Sequence, residues 1–151
     1  MLECTVADAV MRDLPSMVNL LEVLFAAERD FEPNAALQAA ALRNLLEQPS
    51  VGHLFVAKAE TSVVGMVSLL FTISTASGGR AAWLEDLVVS APLRGHGIGS
   101  QLLRYAIGWA RRHDIKRITL LTDFDNERAQ RLYVQEGFTP SQMVPLRLQI
   151  E

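Results

Sequence analysis

Apolar positions in the first fifty residues recur every three or four residues, which is the period of an α-helix. The first stripe lies between residues 11 and 31 and comprises Met17, Leu20, Leu21, Leu24 and Phe25. It predicts an amphipathic helix that begins near Pro15. A second stripe spans residues 35–47 and ends before Pro49, which cannot continue a helix.

After residue 50 the pattern changes to short, mostly apolar runs that are typical of strands. These runs occupy residues 54–58, 63–73, 82–89 and 115–122. A short polar link joins the first two runs and predicts an antiparallel hairpin. A helical stripe follows the third run and continues to about residue 112. Residues 127–136 predict a short helix closed by Gly137 in a left-handed conformation. Phe138 and residues 143–150 are expected to supply the closing strands.

Length and composition indicate one globular domain, residues 1–151. Half of the 151 residues are hydrophobic and 21% are charged. The order of helices and strands predicts an α/β fold with a mixed sheet. The single cysteine, Cys4, excludes an internal disulfide, and the histidines show no metal-ligand spacing, so we expect no metal. The chain has no apolar run of membrane-spanning length and no signal-peptide pattern, so we expect a cytoplasmic protein without a membrane partner.

Charge is distributed unevenly along the chain. The net charge is −3, and residues 1–80 carry five Lys or Arg against nine Asp or Glu. Residues 94–117 reverse the balance, with six basic residues and one acid. This local excess would attract an anionic cofactor, although a solvated helix face explains some of the arginines. The acidic total and the lack of interleaved aromatic residues argue against a nucleic-acid partner.

A glycine-rich turn lies between the strand at residues 82–89 and the following helix. Residues 94–99 read R-G-H-G-I-G. Three glycines allow close backbone approach, and the helix N-terminus offers unpaired N–H groups, so the turn suits a phosphate or pyrophosphate. A P-loop would need a lysine that is missing here, and the glycine spacing is not that of a dinucleotide-binding turn. A tight turn without a ligand, or a turn that binds NAD or ATP, are the alternative interpretations.

Two stretches resemble the GNAT N-acetyltransferase superfamily. The pattern R-x-x-G-x-G at residues 94–99 is similar to its pyrophosphate loop. The pattern N-x-x-A-x-x-L-Y-x-x-x-G-F at residues 126–138 is similar to its late helix. The resemblance implies a central, mostly antiparallel sheet with a splayed parallel pair, flanked by helices. It also implies acetyl-CoA as cosubstrate and direct attack by a primary amine of a small molecule in a ternary complex. Proline stands at position 92, one position later than in many relatives.

The resemblance assigns cofactor contacts to residues of the strand end, the turn and the late helix. These are Leu87, Val88, Val89, Arg94, Gly95, His96, Gly97, Ile98, Gly99, Ser100, Asn126 and Ala129. Main-chain groups of Leu87 and Val89 would pair with the pantetheine arm, and the Val89 N–H would be the oxyanion donor. Asn126 either contacts the pantetheine or only caps its helix. His96 is interpreted as a solvent-facing loop residue, and a plain core strand remains an alternative for the valines.

Two residues are candidates for proton transfer. Tyr133 would donate its phenolic proton to the departing CoA thiolate, although an ordinary core tyrosine is the alternative. Glu85 would remove a proton from the attacking amine, because alternation places it on the same side as Leu87 and Val89. An ion pair with an arginine is the alternative for Glu85. Asp86 is interpreted as structural.

The acceptor is the least determined part of the prediction. Glu28 and Asp30 could attract a cationic amine beside an apolar wall formed by Phe31, or they could belong to a solvated acidic loop. The resemblance leaves polyamines, amino acids, aminoglycosides, aminophosphonates and protein N-termini open as acceptors. A protein N-acetyltransferase and a non-catalytic acyl-CoA-binding or sensing domain are the alternative functions. A homodimer is possible because terminal strands often pair in this superfamily.

Overall fold

The computed structural model describes residues 3–28 and 30–151. The regular elements in chain order are β1 (Thr5–Asp8), α1 (Leu14–Ala27), α2 (Ala35–Glu47), β2 (Gly52–Ala59), β3 (Ser62–Ser74), β4 (Gly79–Val89), α3 (Ile98–Arg112), β5 (Ile118–Leu120) and α4 (Glu127–Gln135). Single 3₁₀ turns precede α1 at Met11–Asp13 and follow β4 at Ala91–Leu93. In the described ranges, no helix is both long and apolar enough to cross a membrane.

The strands form one sheet in the order β1-β2-β3-β4-β5. All neighbours are antiparallel except β4 and β5, which run parallel. A parallel pair needs a crossover connection, and α3 supplies it between β4 and β5. The predicted α/β fold with a mixed sheet and one parallel pair is therefore confirmed.

Helices cover both faces of the sheet. On one face, Met17 of α1 and Leu42 of α2 pack with Met66 and Val88 in a fully or nearly fully buried cluster. On the other face, the apolar stripe of α3 packs against β2, β3 and β4. That stripe comprises Ile98, Leu102, Leu103, Ala106 and Ala110. The sequence pattern of α3 thus becomes one buried face, with arginines on the solvent side.

A buried ion pair fixes the start of α1 against the sheet. Asp13 is only 3% exposed, and its carboxylate accepts a 2.9 Å hydrogen bond from the Val10 N–H. Its other oxygen lies 3.3 Å from Nζ of Lys58 on β2. Removing one partner would leave a buried charge unpaired, which is costly. The pair therefore fixes the position of α1, whose far end carries Glu28.

Strand β4 contains a bulge near its carboxyl end. On β3 one residue, Val67, faces two residues of β4, Asp86 and Leu87. Asp86 takes a φ of 55°, in the left-handed region that few residues other than glycine adopt. Beside it, Ser68 is buried and donates a 3.0 Å hydrogen bond from Oγ to the carbonyl of Glu85. Bulges of this kind redirect a side chain and change the local twist.

The structure differs from the sequence-based elements at both ends of the chain. Strand β1 is not predicted, because its four residues are too few to show a period. The predicted closing strands at Phe138 and residues 143–150 are wrong, since residues 138–151 contain no regular secondary structure. Strand β5 is also shorter than the predicted run of residues 115–122. A strand requires a neighbouring strand for its main-chain groups, and residues 138–151 pair with no strand in the described chain.

Candidate active site

The free edge of β4 forms one wall of the site. Within the described chain, β5 pairs only with residues 82–84 of β4, so the later part of β4 has no strand neighbour on that side. The Ser90 N–H donates a 2.8 Å hydrogen bond to the Val64 carbonyl on β3. Main-chain groups alternate in direction along an antiparallel strand, so those of Leu87 and Val89 point away from β3. They face the opening between β4 and β5 and are available to an extended ligand, except that the Val89 carbonyl already accepts a hydrogen bond from Arg94.

The glycine turn follows this edge directly. Gly95 and Gly97 have φ values of 83° and 80°, and a Cβ on either would meet no atom within 4 Å. Gly97 is the N-cap of α3, and its carbonyl accepts the first helical bond, from Gln101 at 3.1 Å. The N–H groups of the next three residues, 98–100, therefore lack helical partners. With the positive end of the helix dipole behind them, they suit a phosphate group.

Arg94 lies at the start of the turn and is exposed. Its Nε donates a 3.2 Å hydrogen bond to the carbonyl of Val89. This bond links the end of β4 to the turn and leaves the rest of the guanidinium near the mouth of the site. His96 is exposed in the same turn, consistent with its interpretation as a loop residue.

Helix α4 packs beside the glycine turn and the end of β4. A Cβ built on Gly99 would lie 3.6 Å from Leu132 and 3.9 Å from Val89, so α3, α4 and β4 converge there. Arg104 of α3 donates hydrogen bonds from Nε to both carboxylate oxygens of Glu136 at the end of α4. The Nε–Oε1 and Nε–Oε2 distances are 2.9 and 3.0 Å. The hydrogen bonds to Glu136, then its charge, raise the pKa of Arg104. These contacts fix α4 relative to the turn.

The start of α4 is capped by its own N-cap side chain. Asn126 Oδ1 accepts a 3.1 Å hydrogen bond from the N–H of Ala129. Of the two roles predicted for Asn126, the capping role is therefore present, and a contact with pantetheine stays a prediction. Ala129 is half-buried on the same helix face as Tyr133.

Tyr133 is half-buried between α4 and the segment that follows it. Its ring meets Phe138 edge to face, with centroids 5.8 Å apart. Burial, and then the negative charge of Glu28, raise the pKa of Tyr133 to about 12. The phenol therefore stays protonated throughout the neutral range, as a proton donor must.

An acidic cluster lies near Tyr133, whose phenol is affected by the charge of one of its members, Glu28. It comprises Glu28 at the end of α1, Glu85 and Asp86 on β4, and Asp123 after β5. Burial, and then the charge of Asp123, raise the pKa of Glu28. The charges of Glu85 and Asp30 raise it further. Burial, and then the charges of Glu85 and Glu28, raise the pKa of Asp86 to about 7. Four carboxylates from three segments thus share one electrostatic environment.

The bulge changes the side on which Glu85 lies. Leu84, Leu87 and Val89 all pack with the α3 cluster, whereas Val88 packs with the α1–α2 cluster. Regular alternation would place Leu84 and Leu87 on opposite faces. The expected alternation that put Glu85 on the face of Leu87 and Val89 is therefore wrong. Glu85 is exposed on the α1–α2 side, and its role as a base stays a prediction.

The predicted acceptor residues do not all lie together. Glu28 belongs to the acidic cluster, whereas Asp30 pairs with Nη1 of Arg147 at 2.8 Å. The Arg147 guanidinium also lies 5.4 Å from the ring centroid of Phe31. Phe31 in turn contacts Phe25, with centroids 5.6 Å apart. The C-terminal segment therefore covers part of the link between α1 and α2.

Sequence reasoning missed three parts of this site. Asp123 follows a strand and reads as a capping residue, so nothing singled it out. Arg147 lies 117 positions from its partner Asp30, and its contact depends on how the C-terminal segment runs. The bulge depends on the register of β3, which the sequence of β4 alone does not encode. Among the described residues, no group of three or more His, Cys, Asp or Glu is arranged to hold a metal ion.

An open strand edge leads into a phosphate-type turn beside a half-buried phenol and several carboxylates, an arrangement suited to an extended anionic cofactor. The model of the acetyltransferase (GNAT) family matches residues 14–138. The aminoalkylphosphonate N-acetyltransferase of Salmonella typhimurium is 33% identical over 138 residues, covering 91% of this chain and 86% of that protein. The chain belongs to the GNAT acetyltransferase family, and it is an acetyltransferase.

Solved structures agree with this assignment at the level of the fold. A possible acetyltransferase from Clostridium difficile 630 has a TM-score of 0.88 at 18% identity, covering 100% of this chain and 99% of that one. A predicted acetyltransferase from Clostridium acetobutylicum, crystallised with acetyl-CoA, has a TM-score of 0.77 at 16% identity and covers 96% of both chains. The sheet and its helices are thus shared across very different sequences.

Proposed function

We propose that this protein transfers the acetyl group of acetyl-CoA to a primary amine of a small molecule, within a ternary complex. The observation that carries the proposal is the free edge of β4 running directly into the glycine turn. An extended arm can pair with the main chain of Leu87 and Val89 while its pyrophosphate meets the N–H groups of residues 95–99. The Arg94 N–H is not among them, because it donates to the Ala91 carbonyl at 3.3 Å. The family match supports acetyl-CoA as the donor.

The proposed contacts divide between backbone and side chains. Along β4 and the turn, backbone groups make most of the contacts with the cofactor. Val88, Ile98 and Ser100 therefore contribute mainly through their main chain and not through their side chains. Arg94 adds positive charge at the mouth of the site, and His96 lies beside it in the turn. At the far end, the small side chain of Ala129 leaves room for the arm beside α4.

The chemistry follows from the position of the thioester. With the arm paired along β4, the Val89 N–H is the donor that would stabilise the oxyanion of the tetrahedral intermediate. Tyr133 would then protonate the leaving thiolate of CoA. The amine attacks directly, so no covalent acyl-enzyme intermediate is required.

The acidic cluster supports a cationic acceptor. Glu28 and Asp123 place negative charge beside the expected thioester, where an ammonium group would be attracted. The Salmonella typhimurium relative is named for aminoalkylphosphonates, which carry an amine, so such compounds belong in any acceptor panel. Asp30 and Phe31 would lie at the outer margin of this acceptor region, covered in part by Arg147.

An acceptor panel with a matched tyrosine pair tests the proposal. Release of free thiol from acetyl-CoA is followed with polyamines, aminoalkylphosphonates, aminoglycosides, amino acids and a peptide N-terminus. Tyr133→Phe should lower kcat about 100-fold or more while leaving the Kd for CoA unchanged. Tyr105→Phe is the control, because Tyr105 lies on α3 against Phe55, with centroids 5.6 Å apart.

Each contrary outcome identifies a different error. If acetyl-CoA raises the Tm but no acceptor releases thiol, the protein is an acyl-CoA-binding or sensing domain. If only the peptide is acetylated, it is a protein N-acetyltransferase. If NAD or ATP raises the Tm and CoA does not, the interpretation of residues 94–99 is wrong.

The C-terminal segment supports a homodimer. Residues 143–150 alternate apolar and other side chains, and their apolar members are strongly exposed. They are Met143 at 86%, Val144 at 77%, Leu146 at 92%, Leu148 at 82% and Ile150 at 78%. A second copy could bury these side chains by pairing the segment with the edge of its sheet beside β5. Light scattering should then give twice the mass of the chain for the native protein.

A charged substitution in this segment tests the dimer. Leu148→Asp should give a folded monomer, because a charge would have to be buried at the interface. Leu37→Asp, at a position 65% exposed on α2, should leave the mass unchanged. A native protein that is monomeric at high concentration would refute the dimer.

A further inference from the structure

We propose that Asp86, and not Glu85, is the residue that takes the proton from the acceptor amine. This inference rests on the proposed acetyl transfer and assigns the base within that same site. It reverses the sequence-based interpretation, in which Asp86 was structural and Glu85 the base.

The backbone at Asp86 has an uncommon conformation that belongs to the bulge of β4. Its φ of 55° lies in the left-handed region, which residues other than glycine adopt rarely, although aspartate and asparagine adopt it more readily than most. The bulge opposite Val67 imposes this conformation, and the Ser68 hydrogen bond to Glu85 holds the bulge in place. Regular pairing would have given Asp86 an extended backbone. The bulge therefore redirects Asp86 away from the position that alternation would give it.

The Asp86 carboxylate has no partner that would explain it as a structural residue. Among residues 3–28 and 30–151, it makes no hydrogen bond or ion pair, whereas Asp13, the other buried aspartate described above, has both. Asp86 is half-buried, and among the described residues the charged groups that act on it are Glu85 on its own strand and Glu28 at the end of α1. Glu85, by contrast, is exposed on the α1–α2 side.

Asp86 and the proposed acid lie around the same carboxylate. The charge of Glu28 acts on both Asp86 and Tyr133, so both groups lie near this carboxylate. Asp123 acts on Glu28 from the β5 side. Burial and the neighbouring negative charges bring the pKa of Asp86 to about 7, the range in which a carboxylate accepts a proton most usefully.

The proton balance of the reaction needs one such acceptor. Asp86 takes a proton from the ammonium group, directly or through one water, and releases it to solvent. The neutral nitrogen attacks the acetyl carbonyl, the C–S bond breaks, and Tyr133 protonates the sulfur. The second proton lost by the nitrogen restores the Tyr133 phenol. Ammonium and thioester thus become amide, free thiol and one released proton.

The test compares Asp86→Asn with Glu85→Gln across pH. Asparagine tolerates a positive φ and has nearly the same shape, so Asp86→Asn removes the charge with little change to the bulge. The kcat of Asp86→Asn should fall about 100-fold at pH 7, and its pH profile should lack the increase in kcat centred near pH 7. Its affinity for CoA should be unchanged. Glu85→Gln should keep that rise but shift it to lower pH, because the charge of Glu85 helps to raise the pKa of Asp86.

A stability measurement separates this role from a structural one without any acceptor. The folded pKa of about 7 lies above the unfolded value of 3.8, so folding binds a proton between these limits. The contribution of Asp86 to stability therefore falls as pH rises from about 4 to about 7. Asp86→Asn should consequently raise the Tm at pH 8 relative to the native protein.

The outcomes are distinguishable from failure of the proposed function. Acetylation by the native protein establishes the transfer, whichever residue is the base. Full activity and an unchanged pH profile in Asp86→Asn would overturn the inference. Loss of the pH-dependent rise in Glu85→Gln alone would return the role to Glu85. A lower Tm at pH 8 in Asp86→Asn would show that Asp86 is structural.

Discussion

Replacing Gly97 by alanine should separate the strain of the glycine turn from its function. Gly97 has a φ of 80° at the N-cap of α3, and a Cβ there would meet no atom within 4 Å. The substitution therefore adds no clash, and its cost is the left-handed conformation alone. Gly78, in the turn between β3 and β4, also has a left-handed φ, 74°, and a Cβ on it would likewise meet no atom within 4 Å. Gly78→Ala is accordingly a matched control far from the proposed cofactor contacts in sequence.

The magnitude follows from the left-handed penalty, about 1–2 kcal/mol for a residue with a Cβ. If the turn keeps its conformation in Gly97→Ala, that penalty lowers the free energy of unfolding by the same amount. For a chain of this size, the Tm then falls by about 2–8 °C. If the turn instead relaxes, the same penalty falls on binding, because the N–H groups of residues 98–100 must be reoriented. A cost of about 1–2 kcal/mol weakens CoA binding about 5- to 30-fold.

Differential scanning calorimetry and CoA titration calorimetry measure the two terms. The sum of the stability loss and the binding loss should be about 1–2 kcal/mol for Gly97→Ala. Gly78→Ala should show the stability loss with native CoA affinity. Two results would refute the reasoning: a Gly97→Ala protein with native Tm and native affinity, or an equal loss of affinity in both variants.

Two further substitutions test the packing that positions the site. Leu102→Ala removes a fully buried side chain from the face of α3 and should lower the free energy of unfolding by about 2–5 kcal/mol in urea titrations. Leu37→Ala, exposed on α2, should change it by less than about 0.5 kcal/mol, and equal effects would contradict the assigned core. Ser68→Ala removes the hydrogen bond to the Glu85 carbonyl and should cost about 1 kcal/mol, measured the same way. Because that bond supports the bulge, the effects of Asp86→Asn and Ser68→Ala on the free energy of unfolding should not add in the double variant. Strict additivity would show that the Ser68 hydrogen bond and the conformation of Asp86 are independent.

The sequence predicted those parts of the fold in which a local pattern carries the information. Helix α3 follows from its apolar stripe, and the turn before it follows from three glycines and one arginine. The left-handed cap at Gly137 was also predicted and is confirmed by its φ of 103°. In each case, the residues that determine the conformation are within a few positions of one another.

Features that depend on residues far apart in the chain could not be predicted from the sequence. Residues 143–150 alternate like a strand, yet a strand also needs an edge to pair with, and the chain leaves them exposed. Strand β1 forms because β2 offers an edge, not because Thr5–Asp8 has a strong pattern of its own. The contact of Arg147 with Asp30 likewise depends on where two remote segments run.

The bulge on β4 shows how one such feature determines the chemistry. Before the bulge, the Ala82 N–H donates to the Arg117 carbonyl at 2.9 Å, so even-numbered residues of β4 face β5. Without the extra residue, that direction would continue to Val88, and the main chain of Val89 would be consumed by pairing with β3. The bulge shifts the phase, so that Leu87 and Val89 present their main chain to the opening while their side chains stay on the α3 face. The same shift gives Asp86 its positive φ, and its carboxylate makes no hydrogen bond or ion pair with any residue that the structure describes. Binding edge and proposed base therefore arise from one register change, and a variant that restored regular pairing should lose both.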